Sequence, residues 1–110
     1  MNFKRIKIIT TAPLNEADKI RQALGEAGAG KLGEYSFCSF SYRGQGRFMP
    51  SDKANPYIGE ANKLKIVEEE QIEVVCLREN AKQVIAALRQ AHPYEEPVVD
   101  IVPLMSEEEL

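Results

Sequence analysis

The sequence predicts a single α+β domain whose elements follow in the order strand, helix, strand, strand, helix, strand. In two segments the apolar residues recur at helical spacing. Each of these segments is flanked on both sides by a segment with the composition and alternation of a strand. At 110 residues, of which 44% are hydrophobic, the chain is long enough for one core. Two crossover units of this kind form a four-stranded antiparallel sheet with both helices on one face. We therefore treat residues 1–110 as one domain, with an acidic tail at residues 106–110.

The first strand and the first helix are marked by a change in the hydrophobic period. Ile6 and Ile8 alternate with basic residues, which predicts a strand over residues 3–10. Asn15 is a residue type that accepts a hydrogen bond from the first turn of a helix, and apolar residues then recur every three or four positions. These features predict a helix over residues 16–27 that is capped by Asn15.

Residues 28–33, GAGKLG, match the dinucleotide-binding pattern G-x-G-x-x-G letter for letter. That motif requires a strand before it and a helix after it, so that the pyrophosphate meets a helix N-terminus. Here the predicted helix comes before and the predicted strand comes after. We therefore interpret the segment as a helix C-terminus, with Gly28 in the left-handed conformation, followed by a tight turn.

The second strand is predicted from its aromatic residues, four of which lie within residues 35–42. The apolar positions change parity between Phe37 and Cys38, which indicates either a β-bulge or a strand covered on both faces. Residues 43–62 then combine glycines and prolines with no clear period, which predicts a long loop.

The start of this loop is a candidate ligand-binding segment. Gly44 and Gly46 permit unusual backbone conformations, and Arg47 adds positive charge. One hypothesis is a mobile loop that closes over an anionic ligand or a partner. The alternative is a structural loop in which Phe48 and Tyr57 anchor the segment to a neighbouring surface.

The third strand is predicted to be long and to extend beyond the helices. No residue typical of a turn interrupts residues 63–77, and only Glu68 and Glu70 break the apolar face. The apolar residues of that face all have even numbers: Leu64, Ile66, Ile72, Val74 and Cys76. A sheet with one open face and an overhanging strand exposes apolar surface, so we predict burial against another subunit.

The second helix has a start signal and a stop signal. Asn80 and Gln83 have the spacing of a capping box. Pro93 disfavours helical geometry at the residue before it, which predicts that the helix ends at His92. Residues 98–104 predict the last strand.

The turn before the last strand holds the densest polar cluster, formed by His92, Tyr94, Glu95 and Glu96. His92 is the single histidine, so with the neighbouring carboxylates it supplies at most a partial site for a divalent metal. Imidazole also suits acid–base catalysis, a role that requires its ring to line a pocket. The competing interpretation is structural, because the helix dipole favours a cationic His92 at the last helical turn.

Charge and composition argue against several classes of protein. The net charge is −3 and the basic residues are scattered, which argues against nucleic-acid binding. No apolar run approaches the roughly 20 residues of a membrane span, and no apolar segment typical of a signal peptide follows the N-terminus. Cys38 and Cys76 lack metal-binding spacing, so we interpret them as reduced, strand-borne core thiols of a cytoplasmic protein.

Several separated motifs carry a family resemblance. GQGRF at residues 44–48, PYIGE at 56–60, VEE at 67–69 and AHPYEEP at 91–97, in this order, resemble the YqfO family. More specifically, the chain is similar to the inserted domain of the YqfO-type dinuclear-metal proteins, here standing alone. The His-Pro-Tyr-Glu turn is also similar to that of the CutA family, whose fold is a ferredoxin-like trimer related to the PII signalling proteins.

The resemblance implies a ferredoxin-like subunit with a long overhanging strand pair, assembled as a homotrimer. It implies no metal centre in this chain, because the dinuclear site of the larger proteins belongs to their flanking domains. No catalytic residue carries over to this sequence.

Three functional hypotheses follow. The leading one is a non-enzymatic, oligomeric regulatory or small-ligand-binding module without a cofactor, whose partners are its own copies and in addition another protein. The second is a divalent-metal-binding protein that uses His92, Glu95, Glu96 or a cysteine, with ligands that two subunits can share. The third is a small-molecule enzyme with His92 as acid–base. The candidate ligand-binding residues are Gly44, Gly46, Arg47, Phe48, His92, Tyr94, Glu95 and Glu96.

Overall fold

The computed structural model describes residues 3–110 and has the predicted order of elements. The strands are β1 (Arg5–Pro13), β2 (Phe40–Phe48), β3 (Lys65–Leu77) and β4 (Asp100–Leu104), and the helices are α1 (Ala17–Glu26) and α2 (Ala81–Ala91). Single 3₁₀ turns occupy Leu14–Glu16, Arg78–Asn80 and Glu107–Glu109. The sheet order is β2-β3-β1-β4, and every neighbouring pair is antiparallel. None of the described helices is long and apolar enough to cross a bilayer.

The core lies between one face of the sheet and the two helices. Residues of even number on β1 and β3 point to this face, because side chains alternate along a strand. The larger members of the core are Ile6, Ile8, Ile72, Val74, Ile20, Leu24, Val84 and Leu88. The residues of odd number on these two strands therefore point to the opposite side, which we call the open face because neither helix lies on it.

Strand β3 is one continuous strand, as predicted, and its first half extends beyond the core. Pro13 at the end of β1 pairs with Glu69, so the part of β3 before Glu69 pairs only with β2. Ile66 on this overhang is exposed. The radius of gyration is 15.3 Å, compared with about 13 Å for a compact domain of this length. The overhang contributes to this elongation.

One acidic residue on the helix-facing side of β3 has a defined partner. Glu70 was expected only to interrupt the apolar face. Its carboxylate instead accepts a hydrogen bond of 2.8 Å from the Arg21 guanidinium of α1. Arg21 also donates to the Ser41 hydroxyl at 3.1 Å. The pair fastens α1 to β3 at the point where the apolar core ends.

The prediction for β2 was wrong in its bounds. The strand begins at Phe40 rather than at residue 35, and it continues to Phe48, so residues 43–48 are strand rather than loop. Strand β3 provides a hydrogen-bonding partner along this whole length, which overrides the weak strand propensity of the glycines. The parity change before the strand is not a bulge: Phe37 has a positive φ of 58°, and its ring lies against Gly25.

The two helix starts also differ from the predictions. Asn15 lies within a 3₁₀ turn, and neither Glu16 at the N-cap of α1 nor Asn80 at the N-cap of α2 makes a side-chain cap bond. The carbonyl oxygens of the preceding 3₁₀ turns accept the first helical amides instead. Gln83 does not form a capping box with Asn80. Its side-chain amide donates instead to the carbonyl of Ala27 at the C-terminus of α1.

The end of α1 has the geometry predicted from its glycines. Gly28 has a φ of 105°, its amide donates to Gly25 at 3.1 Å, and the Ala29 amide donates to Leu24 at 3.0 Å. These two bonds form a Schellman motif. The G-x-G-x-x-G letters therefore mark a helix C-terminus, and the segment lies after the helix rather than before it.

Candidate functional site

A cleft of about 680 Å³ lies on the open face, along β2 and beside Glu69 and Gln71 of β3. Its floor is formed by strand residues of the open face, which include Tyr42, Gly46, Glu69 and Gln71. Its walls come from the loop after β2 and from the turn between α2 and β4. The tertiary structure thus brings two distant motifs, GQGRF and the HPYEE turn, to one site.

Most of the residues proposed from the sequence border this cleft, and one does not. The bordering residues are Gly44, Gly46, Arg47, Phe48, Tyr94, Glu95 and Glu96. His92 lies outside the lining, and the residue is only 6% exposed. The site is therefore built from the strand, the loop and the turn without the histidine.

The centre of the cleft is a hydrogen bond between a tyrosine and a carboxylate. The hydroxyl of Tyr94 donates to Oε2 of Glu69 at 2.7 Å. Burial of the hydroxyl raises the pKa of Tyr94 well above its ordinary value, and the hydrogen bond to Glu69 and the negative charge of Glu69 raise it further. Tyr94 is therefore a donor throughout the physiological pH range. Glu69 itself is only 8% exposed, which is rare for a glutamate.

Strand pairing explains how Glu69 comes to be buried. It lies between Pro13 of β1 and Gly44 of β2, on the open face. Its carboxylate extends over Gly46, where an added Cβ would lie 1.8 Å from Oε1. A side chain at residue 46 would therefore occupy the space of the carboxylate. The Glu69 carboxylate fills the space beside Gly46, whereas no atom lies within 4 Å of an added Cβ at Gly44.

Aromatic rings form one wall of the cleft. The ring of Tyr94 lies 6.5 Å from that of Phe48 and 6.3 Å from that of Tyr57, in tilted arrangements. The Tyr57 hydroxyl donates to Glu16, and the backbone amide of Asn55 donates to Glu95 at 3.0 Å. These contacts agree with the interpretation of a structural loop anchored by its aromatic residues.

The charges around the cleft do not favour an anion. Glu69, Glu95 and Glu96 border it, and Arg47 is the basic residue among the lining residues. Alternation along β2 directs the Arg47 side chain to the face opposite Gly46. A hydrogen bond of 3.2 Å between Gln45 and Glu68 on that same opposite face agrees with this assignment. The positive charge that suggested an anionic ligand thus points away from the cleft floor.

His92 has a structural role that differs from the predicted one. Helix α2 ends at His92, as expected. Nε2 of the ring lies 2.7 Å from the Thr11 carbonyl oxygen, and the Tyr94 amide donates to Nδ1 at 3.2 Å. A ring that accepts at Nδ1 and donates at Nε2 is neutral, so it does not act as a cation at the helix end. Strand β4 pairs with β1 only as far as Ile9, and the His92 ring binds the free carbonyl beyond that point.

This arrangement does not fit the two hypotheses that depend on His92. Both ring nitrogens are engaged, so neither is available to a metal. Within residues 3–110 no three His, Cys, Asp or Glu side chains are grouped closely enough to hold a metal ion. The acid–base hypothesis required the ring to line a pocket, and the ring is buried outside the cleft.

The cysteines are free thiols in different environments. Cys76 lies in the core on β3, and burial raises the pKa of its thiol. Cys38 is half-buried in the segment before β2, so the prediction that both cysteines lie on strands was wrong for this residue. Its backbone amide donates to the Gly30 carbonyl at 2.8 Å.

Reasoning from the sequence missed Glu69 as a site residue. The parity pattern separates it from Glu68 and Glu70, since it lies on the face away from the core. That signal places Glu69 on the open face but does not show that anything covers it. Its hydrogen-bond partner on that face is Tyr94, 25 residues further along the chain.

The chain is similar to a segment of longer proteins. No family model matches it. A protein named GTP cyclohydrolase 1 type 2 homolog from Halalkalibacterium halodurans is 43% identical over 103 residues, which cover 94% of this chain and 28% of the relative. The protein of the same name from Bacillus subtilis is 45% identical over 98 residues, which cover 89% of this chain and 26% of the relative. The chain spans about a quarter of the length of these relatives.

Solved structures show the same relation and establish the fold. A Bacillus cereus protein related to NIF3 superposes with a TM-score of 0.81 at 38% identity, over 94% of this chain and 26% of that chain. The periplasmic divalent cation tolerance protein CutA from Archaeoglobus fulgidus superposes with a TM-score of 0.67 at 23% identity, over 96% and 91% of the two chains. The chain therefore has the ferredoxin-like fold of CutA, and in sequence it corresponds to one segment of the longer NIF3-related proteins.

Proposed function

We propose that this protein is a non-enzymatic, homotrimeric regulatory module that binds a small ligand in the cleft over β2 and β3. The cleft carries the proposal, because its volume of about 680 Å³ falls within the roughly 300–1,000 Å³ of small-ligand sites. Apolar and aromatic residues line it together with a few polar groups, which is the usual composition of such sites. The free thiols agree with a cytoplasmic location.

Self-association is supported by apolar side chains on the open face. Phe40 is 68% exposed there, and Tyr42, Leu77 and Val102 are also exposed large hydrophobic residues. Strands β2 and β4 are the two edges of the sheet, so their outer backbone groups have no strand partner within residues 3–110. A second and third copy would cover both kinds of surface.

Light scattering on two substituted chains tests the assembly. Phe40→Asp places a charge on the open face, and Ile101→Asp places one at another exposed position, on the helix side of β4. We expect a trimeric mass for the wild type and for Ile101→Asp, and a monomeric mass for Phe40→Asp. Circular dichroism checks that both variants fold. A monomeric wild type at micromolar concentration would overturn the assembly.

Ligand binding is tested by nuclear magnetic resonance with a fragment library on ¹⁵N-labelled protein. We expect bound fragments to shift the amide resonances of Gly44, Gly46 and Tyr94, which border the cleft. The amide of Gly28, in the turn after α1, serves as the internal control. Fragments that shift only resonances outside the cleft would contradict the proposed site.

The proposed module does not bind a metal through His92, and calorimetry tests this. Because both nitrogens of His92 are engaged, titration with Zn²⁺ or Cu²⁺ is expected to give the same negligible heat for the wild type and for His92→Ala. A heat in the wild type that the substitution removes would instead support the divalent-metal hypothesis.

A further inference from the structure

We infer that the cleft selects a small organic cation, a protonated amine or guanidinium on an apolar body, and that Glu69 receives its charge. This inference rests on the proposed ligand-binding function and names the chemical class of the ligand. It follows from three properties of the cleft: a buried carboxylate without a counter-charge, acidic residues at the rim, and an aromatic wall.

The buried carboxylate lacks a cationic partner. Glu69 is more than nine-tenths buried, yet the ion pairs within residues 3–110 do not include it. Tyr94 satisfies Oε2, whereas no donor in the described part of the chain reaches Oε1, which faces Gly46. Within residues 3–110 the one side-chain nitrogen or oxygen that is sealed from solvent without a partner is Thr10 Oγ1, so Oε1 of Glu69 remains accessible to a ligand. A cation in the cleft would provide the missing partner.

The rest of the cleft adds negative potential and no opposing charge. Glu95 and Glu96 stand at the rim, and the Arg47 side chain points to the opposite face of the sheet. Glu96 makes no hydrogen bond to another described residue, so its carboxylate is available to a ligand. Exposed carboxylates contribute little by themselves because water screens them. They do oppose an anion and assist the entry of a cation.

The aromatic wall favours a cation with an apolar body. The ring centroid of Tyr94 lies 6.5 Å from that of Phe48 and 6.3 Å from that of Tyr57. The face of an aromatic ring attracts an ammonium or guanidinium group, and its edges contact hydrocarbon. The volume accommodates a small molecule of this kind.

Three probes that share a phenylethyl body and differ in the charge of their polar group test the selection. 2-Phenylethylamine, 2-phenylethanol and 3-phenylpropionate are each titrated into the full chain, and the amide shifts of Gly44, Gly46 and Tyr94 report binding. We expect the amine to bind about tenfold to a hundredfold more tightly than the alcohol, because a charge-assisted hydrogen bond replaces a neutral one. The carboxylate should bind no more tightly than the alcohol.

Two substitutions test the assignment to Glu69. Glu69→Gln removes the charge but keeps an oxygen that accepts from Tyr94, so thermal unfolding should show a folded chain. It should abolish the preference for the amine. Glu68→Gln makes the same charge change on the opposite face and should keep the preference. If Glu69→Gln keeps it, the assignment to Glu69 is wrong.

The outcomes separate this inference from the proposed function. Equal binding of amine and alcohol, or tighter binding of the carboxylate, would overturn the cation selection and leave ligand binding intact. If no probe shifts the amide resonances of the cleft residues, the result counts against both the cation selection and the proposed ligand binding. The three titrations need only the wild-type protein. N-acetyl-lysine methylamide tests a protein side chain as the source of the amine. If the lysine probe binds and 2-phenylethylamine does not, the assignment to a small molecule is wrong.

Discussion

The carboxylate of Glu69 occupies the space that a side chain at Gly46 would need. An added Cβ at Gly46 would lie 1.8 Å from Oε1 of Glu69 and 2.7 Å from its Cδ. The hydroxyl of Tyr94 donates to the other carboxylate oxygen. The glycine, the carboxylate and the tyrosine therefore depend on one another, although they lie on β2, β3 and the turn before β4.

The first prediction concerns the two glycines of the GQGRF motif. Gly46→Ala should destabilise the protein by about 1–3 kcal/mol, because the methyl group displaces a carboxylate that Tyr94 holds in place. Gly44 has no atom within 4 Å of an added Cβ and does not have a positive φ. Gly44→Ala should therefore stabilise the strand by about 0.5 kcal/mol. Urea unfolding of both variants measures the difference.

A double-mutant cycle shows whether the cost arises from Glu69. In a Glu69→Ala background the carboxylate is gone, so adding Gly46→Ala should cost no more than adding Gly44→Ala. If Gly46→Ala remains equally destabilising in that background, the conflict lies with another group.

The second prediction concerns alkaline pH. The pKa of Tyr94 is raised in the folded state, so the fold binds its proton more tightly than the unfolded chain does. The resulting stability is fully present below the unfolded pKa of about 10 and is lost as the pH rises towards the higher folded pKa. The stability of the wild type should therefore fall above about pH 10.

The variant Tyr94→Phe isolates this contribution. It loses a hydrogen bond to a carboxylate at a half-buried position, so it should be less stable by about 1–2 kcal/mol at neutral pH. The gap between wild type and variant should narrow above about pH 10, as measured by urea unfolding across pH. Tyr35→Phe, at an exposed tyrosine, is the control and should change stability by less than about 0.5 kcal/mol at neutral pH.

The third prediction concerns His92. His92→Ala removes the partners of the Thr11 carbonyl and the Tyr94 amide and should destabilise the protein by about 1–3 kcal/mol. Hydrogen exchange at the Tyr94 amide should accelerate beyond what the global loss explains. Gln90→Ala, on the exposed side of α2, should change stability by less than about 0.5 kcal/mol. An unchanged exchange rate at Tyr94 would contradict the role assigned to the ring.

The fourth prediction concerns Thr10 in the core. Its hydroxyl is fully buried and has no hydrogen-bond partner within the described chain. Thr10→Val keeps the shape and removes this unsatisfied group, so it should stabilise the protein by about 1 kcal/mol. Thr11→Val, at the half-buried neighbouring position on the open face, should have little effect. A destabilised Thr10→Val would indicate that the hydroxyl has a partner, such as a buried water.

Features that depend on local periodicity could be predicted from the amino-acid sequence alone. The order of elements, the even-numbered apolar face of β3 and the helix end at His92 were all predicted, because each follows from spacing or from one proline. The path of β2 was not. The glycines of β2 are typical of a loop when the local sequence alone is considered. They form a strand because their backbone pairs with β3.

The site shows the same division between local pattern and tertiary contact. The motifs around Gly46 and Tyr94 could be selected from the sequence because of their unusual composition. Glu69 could not, because its burial depends on strand register and on a turn that closes over it. The two nitrogens of His92 likewise took their roles from the free carbonyl of Thr11 and the amide of Tyr94. Periodicity records which face a residue occupies, whereas the neighbours that bury or bind it are set only when distant segments pack together.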